Sequence, residues 1–287
     1  MSTKEPKETI AFQGEPGAFS HLACREFAPD METLACVTFE DAFAAVADGR
    51  AALAMIPIEN SVAGRVADIH HLLPESNLYI TREHFLRIRL QLLGLEGARV
   101  TDIKTVMSHT MALGQCRTLI RKMHVHTEIT ADTAGAARMV AESQDKSRAA
   151  LASSLAAETY GLEILQADVE DAHHNTTRFV VLSATPDDAE HESGPTITSF
   201  FFRVRNVPAA LYKALGGFAT NGVNITKLES YQLEGSFQAS QFYADIEGHP
   251  EERNVRLALE ELTFFTSELK VLGIYPADAF RRRPGTE

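Results

Sequence analysis

Residues 8–61, ETIAFQGEPGAFSHLACREFAPDMETLACVTFEDAFAAVADGRAALAMIPIENS, switch repeatedly between two kinds of pattern, and the order of the switches decides the fold. ETIAFQ (8–13) reads as a strand running into a turn that carries Gly14, Pro16 and Gly17. The next segment puts Phe19, Leu22, Ala23 and Phe27 on one helical face. Residues 33–38 read as a strand. Thr38 and Asp41 then form a capping box ahead of FEDAFAAVADG, a helix ended by Gly49. AALAMIPI (51–58) is an apolar run of buried-strand length, and it gives way to the polar triplet Glu59-Asn60-Ser61. Strand, helix, strand, helix, strand predicts a mostly parallel sheet covered by helices, an α/β fold.

Farther along, residues 85–93 alternate, with Leu86, Ile88, Leu90 and Leu92 set against Arg87, Arg89 and Gln91. This predicts one half-exposed strand passing between two lobes. The α/β pattern then restarts. KTVMSH (104–109) is a strand, MALGQCRTLIRKM (111–123) one amphipathic helix and HVHTEIT (124–130) a strand. Asp132 caps the helix TAGAARMVAES (133–143), RAALAS (148–153) is a short strand, and SLAAETYG (154–161) is a helix stopped by glycine. EILQADVED (163–171) and TTRFVVLS (176–183) close the region as strands. A polar, acidic stretch bearing Pro and Gly follows, and 186–196 reads as a linker. The last part changes order: ITSFFFRVR, PAALYKALGGFATNG, NITKLESYQ, FQASQFYADIEG, EERNVRLALEELTFF and LKVLGIY give βαββαβ, the ferredoxin-like split arrangement. Such a unit leaves a sheet face or edge exposed, which predicts pairing with a second copy.

Composition narrows the function classes. The 287 residues carry 27 Lys+Arg against 39 Asp+Glu, a net charge of -12, and the only basic cluster is Arg281-Arg282-Arg283. An acidic chain of this kind is not a nucleic-acid binder. Cys24, Cys36 and Cys116 are an odd set without CxxC spacing, which argues against a disulfide framework and a zinc site. The polar N-terminus MSTKEPKE lacks an apolar targeting core, and no apolar run is long enough to cross a bilayer. The expectation is a cytoplasmic protein that binds no membrane or metal.

Ligands of open α/β sheets bind beyond the carboxyl ends of strands. Candidate clusters fall there: Gly14–Ser20, Glu59–Ser61, Ser108–His109 and Asn175–Arg178. GEPGAFS is either a glycine-dependent turn or a carboxylate-binding loop at a helix start. Asn60 and Ser61 supply amide and hydroxyl donors, or simply stabilise a turn. His109 has no sequence partner that would make a nucleophilic triad. Thr177 and Arg178 bring a hydroxyl and a guanidinium to the start of a strand, and guanidinium is suited to carboxylates.

GEPGAFSHLA (14–23), IPIENSVAG (56–64), SHTMALGQC (108–116), ADTAGAA (131–137) and NTTRFVVLS (175–183), in this order, resemble prephenate dehydratase, and PAALYKAL, NGVNITKLES and FYADIEGH resemble an ACT domain. The resemblance runs from about residue 8 to 276. It implies a bilobal catalytic region at 8–185, similar to type 2 periplasmic binding proteins. One lobe is roughly 8–85 with 170–185 and the other 86–169. The linker and an ACT domain at 197–276 follow. It also implies decarboxylative dehydration of prephenate to phenylpyruvate without a cofactor. Thr177 is then the hydrogen-bond donor to the departing hydroxyl. Arg178 pairs with a carboxylate or braces the cleft, Ser20, Asn60 and Ser61 bind carboxylates, and His109 supports the site from the second lobe. L-phenylalanine is the implied effector, at Ala209, Ala210, Leu211, Asn221, Val223, Asn224, Glu229 and Ser230, in a homodimer or homotetramer. This chain departs from the family pattern at Thr110-Met111 (Pro-Gln), at Ala209 (the Gly of Gly-Ala-Leu) and at Tyr231-Gln232 (the Arg-Pro of Glu-Ser-Arg-Pro). The competing expectations are an arogenate dehydratase, and an anion-binding or regulatory protein without catalysis.

Overall fold

A computed structural model of the protein describes residues 8–66, 69–205, 207–232 and 239–282. Residues 1–7 of the polar N-terminus, Phe237 and Gln238 of one expected strand and Arg283 of the basic cluster lie outside the described residues. The chain runs β1 (Thr9–Gln13), α1 (Phe19–Phe27), β2 (Glu32–Cys36), α2 (Phe39–Ala47), β3 (Leu53–Asn60), β4 (Gly64–Arg65), α3 (Ile69–Glu75), β5 (Tyr79–Arg87), β6 (Gln91–Gly94), β7 (Thr105–Ser108), α4 (Thr110–Gln115), α5 (Arg117–Met123), β8 (His126–Ile129), α6 (Thr133–Ser143), β9 (Arg148–Ala152), α7 (Ser154–Tyr160), β10 (Glu163–Gln166), β11 (Thr176–Ser183), β12 (Thr196–Val204), α8 (Ala210–Thr220), β13 (Ile225–Gln232), β14 (Ala239–Glu247), α9 (Arg253–Phe265) and β15 (Thr266–Pro276).

These strands make three sheets, ordered β2-β1-β3-β11-β5 with β4 on β3, β10-β6-β9-β7-β8, and β13-β14-β12-β15. β1 lies parallel to both β2 and β3, and β7 parallel to both β8 and β9. Ile10, Ala11 and Phe12 of β1 are buried, as expected of a strand covered on both faces. β6 runs antiparallel to β9 and β10, so the second sheet is mixed rather than mostly parallel. The capping box of Thr38 and Asp41 forms as the sequence predicts, and Asp132 caps α6 through the Gly135 amide.

Three expectations need correction. The single helix over 111–123 is two, α4 and α5, broken at Cys116. The cause is the loop after β10: the Asp171 amide donates to the Gln115 carbonyl at 2.6 Å, and the Asp171 carboxylate accepts from the Thr118 amide at 3.2 Å. These bonds take helix groups away from the helical ladder. The single strand over 85–93 is the end of β5 and the start of β6, and Gln91 is buried rather than exposed because it exchanges hydrogen bonds with Asp168. Helix α3 was not anticipated; Ile69 and Leu73 bury one side of it, and Pro74 sits in its last turn.

By internal packing the described residues fall into two units: those up to Val66 with His84–Phe179, and those of 67–83 with Val180 onward. The division falls within β5 and β11. In the second unit, all pairings of the βαββαβ sheet are antiparallel. Phe200, Phe202, Phe218 and Phe242 fill the space under α8 and α9, with Phe200 stacked on Phe218 and Phe202 on Phe242. On the sheet itself, His71 packs edge-on against Tyr231 at 5.6 Å, and Lys270 Nζ donates to the carbonyls of Pro74 and Ser76. Residues of 69–83 therefore occupy part of the surface that the sequence left exposed, and β13 and β15 form the edges.

Ala209 precedes α8 at φ 60°, ψ 24°, in the left-handed region. A Cβ is disfavoured there, and glycine is not. Ala209→Gly should stabilise the protein by about 0.5–1 kcal/mol against urea, and an unchanged midpoint would show that the turn carries no strain.

Candidate active site

The polar groups at the end of β3 meet those at the start of β11. The Ser61 amide donates to the Thr176 carbonyl at 2.9 Å. The Ser61 hydroxyl accepts from the Thr176 amide at 3.0 Å and donates to the His174 carbonyl at 2.9 Å. Its hydroxyl is thus engaged in holding the two strand ends together.

Asn60 sits at the centre. Its Oδ1 accepts from the amides of Val62 and Ala63 at 2.9 and 2.8 Å, which fixes which way the side-chain amide points. Nδ2 must then face the other way, and it donates to Asn175 Oδ1 at 2.8 Å and to Thr177 Oγ1 at 2.9 Å. With Asn175 Oδ1 accepting, Asn175 Nδ2 donates to Gln115 Oε1 at 2.9 Å. Thr177 is buried and accepts from Asn60, while its own proton meets no acceptor among the described residues. Arg178 is only 2 % exposed and pairs with Glu59 Oε1 at 2.9 Å.

Ser20 lies in the first turn of α1, whose amides have no acceptor within the helix and receive no side-chain cap from Ala18. The loop ahead of it is tightly held. Glu15 makes a two-pronged pair with Arg138 of α6 at 2.8 and 3.1 Å. Tyr160 donates to the Pro16 carbonyl at 2.8 Å, and Ser153 to the Gly17 carbonyl at 2.5 Å. The hydrogen bonds from Arg138 hold the Glu15 carboxyl below its ordinary value, against its own desolvation. Burial, then the neighbouring Glu15, raises the Tyr160 phenol.

His21 braces the same loop. Its Nδ1 accepts from the Gly17 amide at 3.0 Å, its Nε2 lies 3.1 Å from Thr33 Oγ1, and its ring stacks on Phe12. An Nδ1 that accepts carries no proton, so the folded ring is neutral, and burial, followed by Arg25, lowers its pKa. A depressed folded pKa contributes stability that is present above the unfolded value of about 6.5 and is lost as pH falls through the folded value. The urea midpoint of the wild type should therefore decline below about pH 6.5, and His21→Gln should flatten that decline. Glu15 acts in a separate window, below its ordinary value of 4.5. Equal slopes in wild type and variant between these limits would refute the assignment.

His109 is the N-cap of α4, its Nδ1 accepting from the Met111 amide at 3.3 Å. Ser108 is buried and donates to the Leu151 carbonyl. The structure thus joins Asn60, Ser61, Thr177 and Arg178 in one hydrogen-bonded region; His109 connects to it along α4, which ends at Gln115, and among the described residues Ser20 shares no hydrogen bond with it. Sequence reading missed the parts played by Gln115, Glu15 and Arg138. Gln115 stands in the quoted stretch SHTMALGQC, but no spacing relates it to Asn175, 60 residues away.

The effector candidates lie in the second unit. Ala209, Ala210 and Leu211 form the start of α8. Asn221 donates to the Gly217 carbonyl and to Glu261, Asn224 to Glu247, and Val223 is buried between them in sequence. Glu229 and Ser230 are on β13, with Glu229 accepting from Lys227. The cysteines are buried free thiols, and burial pushes Cys116 up to about 12, helped by Asp171 and Glu170. Among the described residues no His, Cys, Asp or Glu cluster could hold a metal ion, and no helix is long and apolar enough to cross a membrane.

Known proteins place this arrangement. The family model for prephenate dehydratase matches residues 10–187. A bifunctional N-acyl-homoserine lactone acylase/prephenate dehydratase of Komagataeibacter europaeus is 53% identical over 96% of this chain and 98% of its own length. Arogenate dehydratase 2 of Petunia hybrida is 36% identical over 97% of this chain and 74% of its own. The solved structure of prephenate dehydratase from Arthrobacter aurescens in complex with L-Phe superposes with a TM-score of 0.85, at 29% identity, covering 94% of this chain and 90% of that one. With its α/β sheets, its Asn60–Thr177 site and a family match over most of its length, the protein belongs to the prephenate dehydratase family of lyases.

Proposed function

We propose that the protein converts prephenate to phenylpyruvate, carbon dioxide and water at the Asn60–Thr177 site, and that its C-terminal unit is an ACT domain that senses L-phenylalanine. The carrying observation is the hydrogen bond from Asn60 to Thr177, which occupies the hydroxyl's acceptor side and leaves its proton to donate. In the reaction, the bond from the ring to its carboxylate breaks, and its electron pair completes the aromatic ring. The ring carbon–oxygen bond breaks on the opposite side, and a proton joins the departing hydroxide. Aromatisation takes up the electrons, so the protein's task is to hold a dianion and stabilise the leaving oxygen. Thr177 meets that oxygen. A threonine hydroxyl is a weak acid, so its contribution is orientation and stabilisation of developing charge more than complete proton transfer.

Ser20, with the first-turn amides of α1, is the proposed carboxylate-binding group; Asn60 and Ser61, whose donors already serve Asn175, Thr177, His174 and Thr176, hold Thr177 in position instead of donating to a carboxylate, and His109 supports the site from the end of β7. The burial of Arg178 against Glu59 supports its bracing role over direct substrate pairing. The domains proposed are a bilobal catalytic region at 8–185 resembling type 2 periplasmic binding proteins, a linker at 186–196 and the ACT domain at 197–276. The two helix-flanked sheets and the βαββαβ order support this division. ACT domains paired at sheet edges would give a homodimer or homotetramer with L-phenylalanine bound near Ala209–Leu211 and Asn221–Asn224.

The test is turnover: purified protein incubated with prephenate, phenylpyruvate followed by its absorbance in base, with and without L-phenylalanine. Turnover without added cofactor, suppressed by L-phenylalanine, is expected. Absence of turnover by folded protein would sink the proposal. Two further substrates are tested alongside, each followed by its own product, L-phenylalanine from the first and a free fatty acid from the second, because neither would yield phenylpyruvate. Arogenate, which carries an amine where prephenate has a keto group, tests the reading drawn from the Petunia relative. An N-acyl-homoserine lactone tests the acylase reading drawn from the 53% identical relative.

A further inference from the structure

The second sheet ends at β8, and α4 and α5 do not cover this edge as they cover the strand inside it. The parallel register sets Thr127 beside Val106 and Ile129 beside Ser108, so all four share one face of the sheet. Val106 is fully buried there, against Ala112, Leu113, Cys116 and Leu119 of the two helices, and Ser108 is buried too. Thr127 and Ile129 are exposed, Ile129 by 67 %. Between the two short helices and β8 lies a cavity of about 320 Å³, at the small end of the range for ligand pockets, roughly 300–1,000 Å³. Leu113, Ile120 and Ile129 give it an apolar lining, Gly114 leaves it open, and Arg117 and Arg121, four residues apart on one side of α5, complete it.

The arginines identify the occupant. Arg25, Arg89, Arg99, Arg138 and Arg148 of the same unit each pair with a carboxylate. Among the described residues Arg117 and Arg121 pair with none, in a chain whose net charge is -12. Asp171, the carboxylate bonded to α5, is engaged with the Thr118 amide instead. Two neighbouring guanidiniums match a carboxylate in charge and in hydrogen-bond geometry, and the apolar side chains beside them suit a hydrocarbon body. We propose that this cavity binds a small amphipathic carboxylate, its charge on Arg117 and Arg121 and its aromatic or aliphatic body over Leu113, Ile120 and Ile129. None of the proposed catalytic residues lines the cavity, so the site stands whether or not the protein turns over prephenate.

Gly114 offers a way to close the cavity without removing a charge. Apart from chain neighbours and helix backbone, a Cβ there would have Arg117 Nη2 as its nearest atom, at 3.9 Å, so the space beside it is free. Leucine at 114 would fill that space, and it favours helix more than glycine does.

The experiment follows the isoleucine methyl resonances of the full-length protein, with Ile120 and Ile129 identified by Ile→Val substitution. The probes are 3-phenylpropionate, octanoate and the uncharged 3-phenylpropanamide. Saturable shifts at Ile120 and Ile129 are expected with at least one of the two acids, and the acid with the tighter response names the body the cavity prefers. The amide should bind at least about tenfold more weakly than 3-phenylpropionate, and an Arg117→Gln, Arg121→Gln double variant should weaken the responding acid by at least about tenfold, as loss of charge-assisted hydrogen bonds requires. Gly114→Leu should abolish the response, with thermal melts confirming that it folds; should it not fold, the arginine variant, altered only at exposed side chains, still decides. Shifts that never saturate, an amide as good as its acid, or unchanged affinity without the arginines would overturn the proposal. So would shifts at the same two methyls on raising the protein concentration alone, which would give this face to a second copy of the chain.

Discussion

Thr177→Val should lower kcat for prephenate by about 10²- to 10³-fold, the loss typical of removing one preorganised donor from a developing negative charge. Valine keeps the β-branched shape that suits β11, so packing is nearly conserved. What disappears is the hydroxyl that accepts from Asn60 and donates to the leaving oxygen. Because that donation strengthens as the carbon–oxygen bond breaks, kcat and kcat/KM should fall together, with KM little changed. Stability should fall by about 1–3 kcal/mol, because one Asn60 N–H is left without an acceptor. Thr177→Ser, which restores the hydroxyl but not the methyl, should recover most of the rate. Steady-state kinetics on the two variants separate the possibilities: if valine turns over like wild type, the donor lies elsewhere, and if serine is as slow as valine, the methyl's packing rather than the hydroxyl is what matters.

The sequence made the elements of this site legible and left their wiring hidden. Asn60, Ser61, Thr177 and Arg178 stand out because polar residues at the ends of apolar strands are unusual enough to notice, and the strand order brings β3 beside β11. Capping residues Thr38 and Asp132 could be read because they act within three residues of themselves. The break between α4 and α5 could not: both halves share one amphipathic pattern, and the interruption comes from Asp171, far along the chain. The burial of Gln91 was hidden for the same reason, since an alternating pattern reports which face a residue is on and not that Asp168 will meet it there. Arg178 shows a subtler limit. Its chemistry suits a substrate carboxylate, and only the fold reveals that Glu59 already supplies one.

The loop before Ser20 carries the second large effect, and its constraint is steric. Gly17 has φ +89°, and a Cβ there would lie 2.8 Å from the Ala156 Cα. Neither side can move away easily. The Gly17 amide is held by His21, and its carbonyl by Ser153, whose hydroxyl also caps α7 by accepting from the Ala156 amide at 3.0 Å. One serine therefore fixes the loop and the helix it touches. Gly17→Ala combines a left-handed backbone with a Cβ, about 1–2 kcal/mol, with forced overpacking against helix backbone, about 1–3 kcal/mol, so a loss of about 2–5 kcal/mol by urea denaturation is expected. Gly49 is the internal control: its φ is +73°, but a Cβ there meets nothing within 4 Å. Gly49→Ala should lose only the conformational part, about 1–2 kcal/mol. Gly17→Ala should also reduce kcat/KM for prephenate, because a loop pushed off α7 carries the start of α1 and Ser20 with it, whereas Gly49→Ala should leave the kinetics alone. Equal losses of stability in the two variants would mean that the close approach to α7 exerts no constraint, and wild-type kinetics in a destabilised Gly17→Ala would separate the loop's structural role from any part in holding substrate.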